Sequence, residues 1–319
     1  MTAVREIHVA VGVIFRQGQV LIARRPDHVH QGGLLEFPGG KVETGESVQQ
    51  ALVREIREET GLRIAPDALE PVIEIRHDYG DKRVFLDVWA ASSAQGSPEG
   101  REGQEISWLN VCDLADADFP AANRPIIRAL RLPRQYAITG IAADTTAYLR
   151  QLEQGLRTAK PELCLLRAPN LSDDAYAQLA AWSLEACRAS GARLLLHGSA
   201  SLLEQFPAAC GLHLPWHEAR QHSARPVPDG YLLAVSCHNE QEIAHAGLLQ
   251  ADFITLGPVM PTPSHPGATG IGWRRFRELV AVSTVPVFAL GGLSLKDLAE
   301  ARGAGAQGIA GISFWWSSV

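Results

Sequence analysis

The chain has 319 residues, 46% of them hydrophobic, which is enough for two domains with apolar cores. A net charge of −6 leaves no basic footprint for a nucleic acid polymer or an acidic membrane, so a free small molecule such as a nucleotide is the simpler substrate. The five cysteines (Cys112, Cys164, Cys187, Cys210, Cys237) lack CxxC spacing and read as reduced core residues, and no run of about 20 apolar residues occurs, so a soluble cytoplasmic protein is expected.

The first elements are a two-strand hairpin signal, Ile7–Phe15 and Val20–Ala23 around Gln17-Gly18, closed by Arg24-Arg25. After a loop with His28, His30 and Gly32-Gly33 comes Leu35-Glu36-Phe37-Pro38-Gly39-Gly40, whose glycines let the backbone approach a ligand. From about Ser47 the spacing predicts a helix with Leu52, Val53 and Ile56 on its apolar stripe and Gly61 as its stop. On that helix Glu55, Glu58 and Glu59 stand at i, i+3 and i+4 on one face, where like charges repel. Oxygen ligands of this kind suit Mg2+, with Mn2+ as its substitute, and phosphate chemistry; the plain alternative is a solvated acidic face.

A second hairpin follows, Val72–Tyr79 and Arg83–Ala90 about Gly80-Asp81, then a strand Glu105–Val111 and a helix Asn123–Leu130 with Pro125 in its first turn. Asn123 offers an amide that could bond two atoms of a purine edge, or it could cap the helix. Residues 1–131 thus read as one domain, an α/β/α sandwich with a mixed sheet.

The stretch Gly40–Leu62, GKVETGESVQQALVREIREETGL, fills every fixed position of the Nudix box. With IHVAVGVIF, LIARRPDHVH, LEFPGGKVETGE and DFPAANRPIIRAL, residues 5–131 resemble the MutT-type Nudix hydrolases, which convert 8-oxo-dGTP to the monophosphate and pyrophosphate. The resemblance implies that Glu55, Glu58 and Glu59, with the Gly39 carbonyl, hold the metal, that Glu55 orients or deprotonates water, and that Glu46 joins the catalytic carboxylates. It places Arg25, His30, Glu36, Phe37, Pro38 and Gly39 along the nucleotide, gives Arg25 or Lys41 the phosphates, and makes Asn123 the reader of the oxidised purine. Tyr79 either stacks on the base or packs under the hairpin, and His28 and His30 read as loop hydrogen-bonders rather than catalysts. One position departs from the family: Ser107 stands before Trp108 where a metal-assisting Glu is usual, and Glu102 or Glu105 could replace it.

From residue 132 to 319 short apolar runs alternate with helical stretches: Tyr136–Thr139, Leu163–Leu166, Arg193–His197, Gly211–Leu214, Tyr231–Ser236, Phe253–Gly257, Val285–Leu290 and Gly308–Ile312. Eight such runs predict a compact (β/α)8 barrel, with short crossovers after the third and fourth strands and Phe314-Trp315-Trp316 in place of a last helix. Gly291-Gly292 and Gly311-Ile312-Ser313 follow strands seven and eight, where barrels bind phosphate on backbone N–H groups, although glycine also serves tight turns.

These residues, with SCHNEQE, ADFITLGPVMPTPS and VFALGG, resemble the thiamine phosphate synthase and TenI family. Arg167 fits the synthase pattern, but Leu165, Pro169, His197-Gly198 and His265 replace polar or basic groups that a pyrophosphate leaving group needs. His238 matches the cleft histidine of the thiazole tautomerases. The leading expectation is therefore a Mg2+-dependent pyrophosphohydrolase of oxidised guanine nucleotides carrying a barrel that binds a phosphorylated ligand. The rivals are a bifunctional thiamine-pathway enzyme, acting on a phosphorylated thiazole or on oxidised thiamine pyrophosphates, and a barrel that is a non-catalytic sensor.

Overall fold

The computed structural model describes residues 6–29, 31–80, 82–262 and 269–316. The chain divides into two compact units, residues 1–132 and 133–319.

The first unit contains β1 (Glu6–Arg16), β2 (Gln19–Arg24), β3 (Leu35–Glu36), β4 (Gly39–Lys41), α1 (Val48–Thr60), β5 (Leu69–Asp78), β6 (Arg83–Ala91), β7 (Ile106–Asn110) and α2 (Arg124–Arg131). The strands form one mixed sheet in the order β3-β2-β1-β6-β5, with β4 added to β1 and β7 to β2; β1 runs parallel to β6 and antiparallel to β2 and β4. Gln17 and Gly18 both take positive φ, 51° and 80°, giving the mirror-image turn that suits the twist of a two-residue hairpin. Alternation along β1 sends Ala10 and Ile14 against Leu52 and Ile56 of α1, and Val11 and Val13 against Ile126 and Ile127 of α2. The unit is therefore the expected α/β/α sandwich.

Helix α1 begins with a capping box, in which the Ser47 hydroxyl accepts from the Gln50 N–H and the Gln50 side chain accepts from the Ser47 N–H. It ends at Gly61, left-handed with φ 71°. These local signals hold the acidic face in register with β4.

The second unit is a closed barrel of parallel strands: β8 (Gln135–Ile138), β9 (Leu163–Leu166), β10 (Arg193–His197), β11 (Gly211–Leu214), β12 (Leu232–Cys237), β13 (Phe253–Leu256), β14 (Val287–Leu290) and β15 (Gly308–Gly311). Its helices are α3 (Thr145–Thr158), α4 (Asp173–Ser190), the one-turn α5 (Leu202–Gln205) and α6 (Trp216–Ala219), α7 (Glu240–Leu248), α8 (Gly272–Val280) and α9 (Leu298–Gly303). Along the strands Cys164, Leu166, Leu194, Leu196, Leu212 and Leu214 pack outward on the helices, while Tyr136, His213, Phe253 and Phe288 meet inside the lumen.

Among the described residues no helix follows β15; Trp315 and Trp316, each 5% exposed, pack there instead. The Trp315 indole N–H donates to the Ile138 carbonyl at 2.8 Å. A Cβ on Gly155 would lie 2.6 Å from the Trp315 ring, and one on Gly140 2.4 Å from the Trp316 ring, so glycine makes the room for both.

Cys164, Cys187 and Cys237 are buried and all five cysteines are free thiols. Cys112 departs from the core expectation because it falls in the exposed turn Val111–Asp113 after β7. Among the described residues no helix is long and apolar enough to cross a membrane.

Candidate active site

In the first unit the acidic face of α1 lies against β4. Gly40 is the point of contact: a Cβ there would lie 2.2–2.4 Å from the carboxyl atoms of Glu55, so only glycine admits that carboxylate. Gly39, at φ 149°, donates its N–H to Glu59 Oε2 at 3.0 Å. Burial, with the charges of Glu102, Glu36 and Glu55 nearby, pushes the Glu59 carboxyl up to about 8 despite that bond.

Arg54 is the hub of the remaining acids. It donates from Nε and Nη2 to the two Glu46 oxygens (both 2.9 Å), from Nη1 to Glu55 (2.8 Å) and Glu58 (3.2 Å), and from Nη2 to the Lys41 carbonyl (3.1 Å). Its guanidinium, aided by the Glu43 N–H, holds Glu46 down to about 2. One guanidinium thus faces Glu46, Glu55 and Glu58, while Glu59 turns to Gly39, and among the described residues no three acidic, histidine or cysteine side chains are grouped as a metal site. The donor set nevertheless suits a hard divalent cation: the oxygens outnumber the positive charge, and the Gly40 cradle leaves them room.

Arg25 is ion-paired with Glu36, whose carboxyl is raised by burial in spite of the arginine. Phe37 stacks on Phe119 with centroids 5.6 Å apart. The Tyr79 hydroxyl is hydrogen-bonded to the Ala122 backbone, with His77 edge-on at 4.4 Å and the Lys82 ammonium 5.5 Å from the ring. Next to Ala122, Asn123 has a helical backbone (φ −89°, ψ −17°) and no side-chain capping bond. Its half-buried amide has no hydrogen-bond partner among the described residues.

At the mouth of the barrel, Arg167 and His197 lie side by side, one residue beyond the Leu166–Leu196 register of β9 and β10. His238 Nδ1 is 2.8 Å from Glu242 Oε2, which also accepts the His238 N–H at 2.8 Å, while Asn239 Nδ2 donates to Oε1 at 2.9 Å. Gly291 and Gly292 are left-handed (φ 102° and 67°) and crowd the segment after β13, where a Cβ would come within 2.6 Å of Pro258 and 2.5 Å of the Pro261 carbonyl. Conformation alone therefore demands both glycines.

The thiamine monophosphate synthase family matches residues 135–314, and the NUDIX domain family residues 10–129. The 8-oxo-dGTP diphosphatase of Escherichia coli (strain K12) is 37% identical over 128 residues, 40% of this chain and 98% of that protein. The CTP pyrophosphohydrolase of the same strain is 34% identical over 123 residues, 39% of this chain and 90% of that protein. The thiamine-phosphate synthase of Aromatoleum aromaticum is 30% identical over 185 residues, 57% of this chain and 88% of that protein. The chain belongs to both families.

Its first unit is a Nudix hydrolase domain. There Glu46, Glu55 and Glu58 share the Arg54 guanidinium, Gly39 donates its N–H to Glu59, and Glu36 and Glu55 lie close enough for their charges to act on Glu59. Gly39 meets Glu59 through its N–H rather than its carbonyl. Lys41 and His28 are exposed, Pro38 is buried with its carbonyl on the Gly12 N–H (2.8 Å), and His30 lies outside the described residues. Of the two substitutes for the missing downstream acid, Glu105 is exposed beside Arg24, whereas Glu102 acts on Glu36 and Glu59.

In the thiamine monophosphate synthase barrel the Ser313 hydroxyl is taken up by the Leu293 carbonyl at 3.3 Å, Gly311 ends β15, and His265 lies outside the described residues. Sequence reading missed Arg54 as the hub and the lumen chain through Tyr136, His213 and Ser236. The second had a signal: in Gly211-Leu212-His213-Leu214 the two leucines take the outer positions, which turns His213 inward.

Proposed function

We propose that the Nudix unit hydrolyses an oxidised purine nucleoside triphosphate, 8-oxo-dGTP foremost, to the monophosphate and pyrophosphate. The observation that carries this reading is the Asn123 amide, left without a partner next to the Tyr79–Ala122 contact. One amide presents an acceptor and two donor hydrogens, which suits the mixed edge of an oxidised purine. Glu55, Glu58 and Glu59 would hold Mg2+ or Mn2+, which when bound supplies charge on the phosphates and a more acidic water. Glu55, seated on Gly40, would orient that water and take its proton. Lys41, exposed at the start of the box, is available for the phosphates.

A second reading concerns the barrel. The N–H groups of Gly291 and Gly292 donate to no acceptor among the described residues, which supports capture of a phosphate ester. The His238–Glu242 pair supports proton transfer on such a ligand, a phosphorylated thiazole being one candidate, while the residues at 165, 169 and 197–198 speak against synthase chemistry.

The test is pyrophosphate release by the full chain with 8-oxo-dGTP, dGTP, CTP and an oxidised thiamine pyrophosphate. We expect the highest kcat/KM for 8-oxo-dGTP, and loss of nearly all turnover in Glu55→Gln and Glu58→Gln with unchanged circular dichroism. A preference for CTP, or near wild-type turnover in both variants, would refute the reading.

A further inference from the structure

The turn that carries Asn123 is too short to hold itself in place. Residues 121–123 form a single 3-10 turn, whose hydrogen bonds have poorer geometry than those of an α-helix. Within it the Asn123 N–H donates to the Pro120 carbonyl at 2.9 Å and the Arg124 N–H to that of Ala121. These bonds shape the turn but do not fix it against the sheet. The Asn123 amide makes no capping bond and has no partner among the described residues, so the turn alone decides where it points.

Two contacts tie this segment to the rest of the Nudix unit. Just ahead of the turn, Phe119 stacks on Phe37 with centroids 5.6 Å apart. In the turn itself the backbone of Ala122, a residue 2% exposed, is hydrogen-bonded to the Tyr79 hydroxyl. Tyr79 is in turn fixed at the end of the β5–β6 hairpin. Its N–H donates to the Lys82 carbonyl at 2.9 Å, and beside it the Asp78 carboxylate accepts the Gly80 N–H and Arg83 Nε, both at 2.8 Å. The hydroxyl therefore reaches the turn from a braced hairpin.

Stacking on the base, the other role open to Tyr79, asks for an open ring face. The His77 ring meets the tyrosine edge-on at 4.4 Å, and the Lys82 ammonium lies over it, 5.5 Å from the centroid. The ring also packs on the core that includes Phe37, Phe119 and Ala122. These contacts engage the ring within the unit, and the hydroxyl is what joins it to the turn. Phenylalanine at this position would keep the packing and lose the tether.

We propose that Tyr79 is a positioning residue for purine selection: its hydroxyl, acting through the Ala122 backbone, holds the Asn123 amide in the orientation that meets the oxidised purine edge. The inference rests on the reading of the Nudix unit as an oxidised-purine hydrolase. A group that reads a base through hydrogen bonds must be held within about 0.5 Å of the productive geometry by its supporting residues. Tyr79 supplies that support without touching the base or the phosphates. It acts on which base is accepted, not on the hydrolytic step.

The experiment measures kcat/KM for 8-oxo-dGTP and dGTP with the full chain as wild type, Tyr79→Phe, Asn123→Ala and the double variant, with urea denaturation of each protein. Tyr79→Phe should lower the ratio of the two constants about two- to tenfold, as expected for one neutral hydrogen bond, and by less than Asn123→Ala does. In the Asn123→Ala background the same substitution should leave the ratio unchanged, because residues that act as one unit are not additive. A hydroxyl with a structural role alone would lower the urea midpoint and leave the ratio intact. A wild type that does not prefer 8-oxo-dGTP would remove the oxidised-purine reading and this inference with it. A preference that is lost in Asn123→Ala but undiminished in Tyr79→Phe would overturn the positioning role alone. Losses that multiply in the double variant would also overturn it, since they would make Tyr79 a direct contact of the base.

Discussion

Replacing Asn123 by alanine separates two roles open to an asparagine ahead of Arg124-Pro125. A capping side chain would cost about 1 kcal/mol of stability when lost. Here the side chain makes no capping bond and the backbone is already helical. Alanine should therefore change the stability of the Nudix unit by no more than about 0.5 kcal/mol, as for a side chain without structural contacts. On substrate the amide can make two hydrogen bonds, each worth roughly 0.5–1.5 kcal/mol net. Together they give about 1–3 kcal/mol, a fall in discrimination of about 5- to 150-fold. The assay is kcat/KM for 8-oxo-dGTP and dGTP measured side by side, with a urea denaturation of each protein as the control. A lower urea midpoint with unchanged selectivity would make Asn123 a structural residue and refute the reasoning, as would equal losses for both nucleotides.

Gly40→Ala adds a Cβ at 2.2 Å from the Glu55 carboxyl carbon, so the carboxylate must move; turnover should drop by about tenfold or more while circular dichroism is unchanged, and near wild-type turnover would show that Glu55 acts from elsewhere. Trp315→Ala removes a buried ring and its bond to the Ile138 carbonyl and should cost the barrel about 3–5 kcal/mol in urea denaturation, whereas a cost below about 1 kcal/mol would mean that the tryptophans do not stand in for a helix. His197 is lowered to about 4 by burial and by the charges of Arg167 and His217. Because the unfolded chain takes this proton near pH 6.5 and the folded one only near 4, the stability is fully present above about pH 6.5 and declines by up to about 3 kcal/mol as pH falls to 4. Urea midpoints between pH 7 and 4 should therefore fall less steeply in His197→Asn than in the wild type, and parallel slopes would rule the effect out.

The elements that could be read directly are those set by neighbours in the chain. Helix α1 announces itself through Ser47, Gln50 and Gly61, and its 3.6-residue period alone puts Glu55, Glu58 and Glu59 on one face. The barrel strands are equally legible, since parallel strands covered on both faces must be short and apolar. Long-range contacts decided the rest. Whether Glu55 meets water or Arg54 depends on how closely β4 approaches α1, which Gly40 permits but does not announce. Asn123 is a plausible cap by its neighbours, yet packing of the turn 121–123 gives it a helical backbone and leaves its amide unpartnered. Glu102 and Glu105 are equivalent on paper, and the fold of one loop, fastened to the end of α1 by Arg101 N–H and Gln104 on the Glu59 carbonyl, sets Glu102 to act on Glu59 while Glu105 pairs with Arg24. Tyr136 and His213 are 77 residues apart and meet only because β15 pairs with β8 and closes the barrel, so no local pattern could have joined them.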